Sequence, residues 1–157
     1  MTLLSLYQES RHHEDVARLR RVLALRAMAA TGMSQREIAA ALGISQSAVS
    51  QQLKAARDLA HADAETLVEA AGPVLRRLAE VSGYRRLAVF GSVARGEAHP
   101  GSDIDLLVEA PEGTSSFGFI KFKQLIERVL CREIDLVDYG GLKPKLDDDI
   151  RREAVLL

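Results

Sequence analysis

Asp103 and Asp105 stand two residues apart in the run Ser102-Asp103-Ile104-Asp105-Leu106-Leu107-Val108. Side chains on a strand alternate faces, so residues two apart share one face. The run therefore sets two carboxylates side by side at the edge of an otherwise apolar strand. Like charges held together there cost free energy unless a cation lies between them. Oxygen-only ligands suit a hard ion, Mg2+ or Mn2+. Upstream, Leu87-Ala88-Val89-Phe90 runs into Gly91-Ser92-Val93-Ala94-Arg95-Gly96-Glu97. A Gly-Ser turn at a helix start offers free backbone N–H groups and a hydroxyl, which suit a phosphate. An acid pair fit for a metal beside a phosphate cradle is equipment for phosphoryl or nucleotidyl transfer.

Those residues need a small α/β frame. Leu87–Phe90 reads as a first strand, parallel in character because its apolar run is unbroken. Ile104–Val108 is the second strand and Glu133–Val137 the third. Between the last two, the spacing predicts a loop over 111–116 and a helix over 117–130, with Phe119, Phe122, Ile126, Val129 and Leu130 inward. Leu142, Leu146, Ile150 and Val155 mark a last helix. Upstream, the Ala-rich stretch 55–71 is strongly helix-prone. Gly72-Pro73 is expected to break it, with Pro73 opening a further helix to Val81.

The pattern Gly91-Ser92, Ala94-Arg95-Gly96, Ser102-Asp103-x-Asp105 resembles the minimal nucleotidyltransferases of the DNA polymerase β superfamily. The resemblance implies an α+β or α/β domain with a mixed sheet. It implies Asp103, Asp105 and Asp135 as catalytic and metal-holding acids, Asp135 being the one that interrupts the third strand. It implies Gly91, Ser92, Arg95 and Ser102 on the nucleotide side, ATP as substrate and Mg2+ or Mn2+ as cofactor. Two readings of Arg95 stand, a phosphate contact or a brace for the loop.

The N-terminal part reads as all-α. From Glu14 an apolar stripe through Val16, Leu19, Val22, Leu23 and Leu25 predicts a helix. Ser34-Gln35-Arg36-Glu37 is a capping box that opens another helix, with Ile38, Ala39 and Leu42 inward. Gly43 turns the chain, Ile44 packs, and Ser45 caps a third helix that buries Val49. The small Ala39, the Gly43 turn and Val49 resemble the helix-turn-helix of bacterial repressors. That resemblance implies DNA contacts from Gln46, Ser47, Ser50, Gln51 and Lys54 in the major groove, and a dimer on a two-fold site. Charge adds no support: the first 65 residues carry eight basic and seven acidic side chains.

The 157 residues, 47% of them hydrophobic, divide into a helix-turn-helix domain over 1–62 and a transferase domain over 63–157. The single cysteine, Cys131, rules out an intrachain disulfide, and no apolar run approaches membrane-spanning length. A cytoplasmic protein is expected. Minimal transferases of this resemblance act as antitoxins. They pass AMP from ATP to a tyrosine hydroxyl of a HEPN-type toxin, and a helix-turn-helix would bind the operator of the shared operon. The partners implied are that toxin, DNA and a second copy of the chain. The alternative is a transcriptional regulator whose transferase domain only senses nucleotide or docks a partner.

Overall fold

The computed structural model describes residues 1–145 and 147–157, together with all their side chains except that of Ala56. The first helix, α1, spans Leu3–Ala30, so it begins well before Glu14. Thr2 and Ser5 form a reciprocal capping box that starts it, although Leu3, Leu4, Leu6 and Tyr7 of its first turns are exposed. Helices α2 (Gln35–Leu42) and α3 (Gln46–Leu53) form the expected helix-turn-helix. Ser34 accepts from the Glu37 N–H, Glu37 reaches back, and Gly43 closes α2 at φ 68°. Ile38 and Val49 are fully buried and pack with Ala39 and Leu25. Leu42 and Ile44 do not pack inward: they are 49% and 38% exposed. Met28, Met33 and Leu53 close this small core instead.

A short helix, α4 (Ala56–His61), leads to α5 (Ala64–Val81), which Asp63 caps by accepting from the Thr66 N–H. Helix α5 runs unbroken through Gly72-Pro73, against expectation. Proline inside a helix strands the carbonyl four residues back, here that of Glu69. Arg20 of α1 supplies the missing donor. Its Nη2 donates to Glu69 O at 3.0 Å and its Nε to Ala70 O at 2.9 Å. Arg26 of the same helix binds the end of the later helix α7 (Ser116–Leu130) through the carbonyls of Arg128 and Val129, and reaches Leu53 O at the end of α3.

Four strands form one mixed sheet in the order β3-β2-β1-β4: β1 (Arg85–Phe90), β2 (Ile104–Glu109), β3 (Ile134–Asp138) and β4 (Val155–Leu156). Only β2 and β3 are parallel; β1 is antiparallel to both its neighbours. The unbroken apolar run of β1 reports two covered faces, not a parallel strand. Leu87 and Val89 face the main core with α1, α5 and α7, whereas Ala88 and Phe90 face a second cluster with Leu107 and Leu142. The expected last helix is also different. A 3-10 turn (Tyr139–Gly141) precedes a short helix, α8 (Asp148–Glu153), and Val155 belongs to β4. Leu146, counted in that helix, lies outside the described residues. Leu142 and Ile150 do pack, but as a cover for the second sheet face. Among the described residues, no helix is long and apolar enough to cross a membrane.

Candidate active site

The acids gather where the sheet ends. Parallel pairing of β2 with β3 sets Asp105 opposite Asp135, and antiparallel pairing of β1 with β2 sets Phe90 opposite Asp105. Asp105 and Asp135 alternate with buried Ile104, Leu106 and Ile134, which fill the main core. Both carboxyls therefore lie on the other face, the one shared by Leu107 and covered only by the C-terminal segment. Asp103 precedes β2 and is exposed; Asp135 is exposed on an edge strand; Asp105 is half-buried.

Burial, then the Asp135 carboxylate, then Asp103, push the Asp105 carboxyl up to about 6, with Arg95 opposing them. Asp135 is near enough to share a hydrogen bond with the protonated form. Among the described residues no three His, Cys, Asp or Glu side chains converge closely enough to hold a metal ion as they stand. The arrangement is an open cluster of three acids around one half-buried member. Its crowded negative charge and all-oxygen donor set fit a hard divalent cation.

Beside the acids, Gly91 opens a four-residue helix, α6 (Gly91–Ala94), at φ 72°. A Cβ there would collide with the Asp105 carboxyl, whose Cγ would lie only 3.0 Å away. Only glycine lets the turn stand this close to the acid. Ser92 follows, half-buried. The Gly91 N–H is not free, as the sequence suggested: it donates to Glu153 Oε1 at 3.0 Å. Arg95 is braced in the same way. Its Nη1 donates to Glu153 Oε2 at 2.9 Å and its Nε to Glu97 Oε2 at 3.0 Å. The Ser102 hydroxyl accepts from the His99 N–H at 2.9 Å and holds the turn before β2.

Glu153 is the residue that sequence reasoning missed, since it reads as the polar face of a helix. Its one signal is register. Val155 pairs with Val89 in an antiparallel ladder, so the residue two before Val155 falls beside the residue two after Val89. Across the end of the sheet the row runs Asp135, Asp105, Gly91, Glu153. A wide groove lies on the opposite side, along α7, and includes Thr31, Tyr84, Lys121 and Arg132. It shares no residue with the row. The α3 candidates Gln46, Ser47, Gln51 and Lys54 are exposed, and Ser50 is half-buried.

Residues 15–60 match the family described as "Homeodomain-like domain". "Protein adenylyltransferase MntA" of Thermococcus cleftensis is 39% identical over 80 residues, which are 51% of this chain and 81% of that protein. "Putative protein adenylyltransferase MJ0435" of Methanocaldococcus jannaschii is 44% identical over 73 residues, 46% of this chain and 78% of the relative. A solved chain described as "Structure of putative minimal nucleotidyltransferase" superposes with a TM-score of 0.55 at 41% identity, over 62% of this chain and 98% of that one. The family described as "Nucleotidyltransferase domain" matches residues 74–157, the stretch from mid-α5 to the end of β4 that builds the whole acid row. The chain belongs to that nucleotidyltransferase family and is an enzyme of its class.

Proposed function

We propose that this enzyme transfers AMP from ATP to a hydroxyl of a partner protein, a tyrosine of a HEPN-type toxin, and so acts as an antitoxin. The observation that carries the reading is the pair Asp105–Asp135, abutting a Gly-Ser turn that tolerates no side chain at its first position. Relatives named as protein adenylyltransferases support a protein acceptor.

Asp103, Asp105 and Asp135 would hold Mg2+ or Mn2+, which when bound supplies positive charge to the triphosphate and to the leaving oxygen. Ser92 and the turn bind the β,γ end of ATP. Asp135, exposed at the sheet edge, is open to an incoming hydroxyl and takes its proton. The acceptor oxygen forms a bond to the α-phosphorus, the bond from that phosphorus to the β-phosphate oxygen breaks, and pyrophosphate leaves. On this reading, residues 63–157 form the catalytic domain. Residues 1–62 bind the operator as a dimer through Gln46, Ser47, Ser50, Gln51 and Lys54, and the protein works in the cytoplasm.

The test is transfer of label from α-labelled ATP with Mg2+ to the product of the neighbouring gene, co-purified. Wild type is run beside Asp103→Ala/Asp105→Ala. Label on the neighbour, absent with the double variant, is the expected result. Label that persists in a folded double variant refutes the assignment.

A further inference from the structure

The C-terminal segment does more than close the sheet. Pairing of β4 with β1 carries Glu153 to the Gly91 turn, where one carboxylate makes two contacts, one with each end of α6. Its Oε1 accepts from the Gly91 N–H at 3.0 Å and its Oε2 from Arg95 Nη1 at 2.9 Å. The Glu153 side chain is 23% exposed, against 46% for Arg95 and 65% for Glu97. Of the two carboxylates on Arg95, Glu153 is thus the better shielded from water. A carboxylate that takes two charge-assisted bonds fixes geometry as well as adding energy.

The contact also decides which groups remain for an anion. With its N–H committed to Glu153, Gly91 offers a phosphate no donor, and Arg95 already has two acidic partners. What the turn presents to a triphosphate is the orientation of Ser92, and that orientation is set by how Gly91 is tied.

We infer that Glu153 is a positioning residue for the nucleotide: by accepting the Gly91 N–H, with Arg95 steadying its other oxygen, it fixes the turn on which Ser92 receives the triphosphate. This rests on the reading of Gly91-Ser92 as the nucleotide turn. Glu153 touches no reacting atom, so its effect falls on ATP binding. Gln keeps one oxygen for the Gly91 N–H but turns an NH2, a donor, toward Arg95, so it gives up the charge and the Arg95 contact, whereas Ala gives up both contacts.

The experiment measures Mg-ATP affinity by calorimetry and, in the nucleotide-free protein, solvent exchange of the Gly91 amide. It compares wild type, Glu153→Ala and Glu153→Gln. Loss of a hydrogen bond to a charged group is expected to weaken Mg-ATP binding about ten-fold in Glu153→Ala. Exchange of the Gly91 amide should rise by a similar factor. Glu153→Gln should bind within about three-fold of wild type and keep the amide protected. If Glu153→Ala binds within about two-fold of a wild type that itself binds, the inference fails while the transferase reading stands. If Glu153→Gln is as weak as Glu153→Ala, the tie to Gly91 is not the cause and the inference also fails. A wild type that binds no Mg-ATP removes the nucleotide-turn reading, and the inference with it. If Glu153→Ala does not fold, Glu153→Asp, whose carboxylate stops one methylene short of the Gly91 N–H, takes its place with the same expected ten-fold loss, and binding within about two-fold of wild type again overturns the inference.

Discussion

Gly91 and Asp105 touch: the bare α-carbon of one stands against the carboxyl of the other, with no space for a methyl group. The left-handed backbone at Gly91 adds a second reason for glycine, since an L-residue there costs about 1 kcal/mol before any collision. Gly91→Ala is expected to lose about 2–4 kcal/mol and to lose transfer activity. Shortening the obstructing side chain tests the cause. In an Asp105→Ala background the same substitution should cost clearly less, and thermal unfolding of all four proteins gives the coupling. Additive losses would show that the collision is not responsible.

Asp105 also links stability to pH. Its folded value, about 6, lies above the ordinary 3.8, so folding favours the protonated acid. That contribution is complete below about pH 4, falls away as the pH rises toward 6, and is absent above. After discounting for solvent screening, the loss is on the order of 1–2 kcal/mol. In chelator, wild type should therefore unfold more easily at pH 7.5 than Asp105→Asn, and the gap should narrow at pH 4.5. Divalent cation at pH 7.5 should raise the unfolding temperature of wild type only. An Asn variant no more stable than wild type at pH 7.5 would contradict the cause given for the shift.

Arg20 and Pro73 form a second dependent pair. Removing the guanidinium in Arg20→Ala leaves Glu69 O without the donor that Pro73 cannot supply and takes a side-chain donor from Ala70 O, and a loss of about 1–3 kcal/mol follows. Lysine, which cannot fork to two acceptors in one plane, should recover less than half. Pro73→Ala returns a helical N–H to Glu69 O, so in that background the cost of losing Arg20 should shrink. Urea unfolding of the double-mutant cycle checks this; equal costs in both backgrounds would refute the compensation.

On the helix-turn-helix, Gln51 of α3 and Lys54, its C-cap, are exposed, while Val49 fills the small core. Lys54→Ala should weaken binding to the upstream DNA uniformly and lower the salt slope by about one, as loss of one phosphate contact does. Gln51→Ala should instead relax preference at one base position. A gel-shift series over salt concentration separates the two. A shift unaltered by either substitution would take α3 out of the interface.

Much of the site could be read locally. Asp103-x-Asp105 and Gly91-Ser92 carry their chemistry in residue type and spacing, and the Ser34–Glu37 capping box states where α2 begins. What stayed hidden depends on partners far along the chain. Pro73 breaks a helix by every local rule, and only Arg20, some fifty residues away, lets α5 continue. Strand β4 is two residues long and exists because β1 has an edge to offer, so Val155 reads as one more turn of an apolar stripe. Glu153 inherits that obscurity. The apolar run of β1 was visible, but a run records burial on two faces and carries no information on strand direction.

Helix α1 contributes Leu25 to the small core of the helix-turn-helix, and Leu23 and Ala27 to the core beneath the sheet. One rod thus belongs to two bodies, and Arg26 bolts it to both α3 and α7. Such an arrangement has no hinge. Whatever α3 grips keeps a constant bearing toward the acid row, because turning one against the other would tear a core open. Any influence between the two ends is then a matter of clearance: a molecule seated on one either leaves room for the occupant of the other, or it does not.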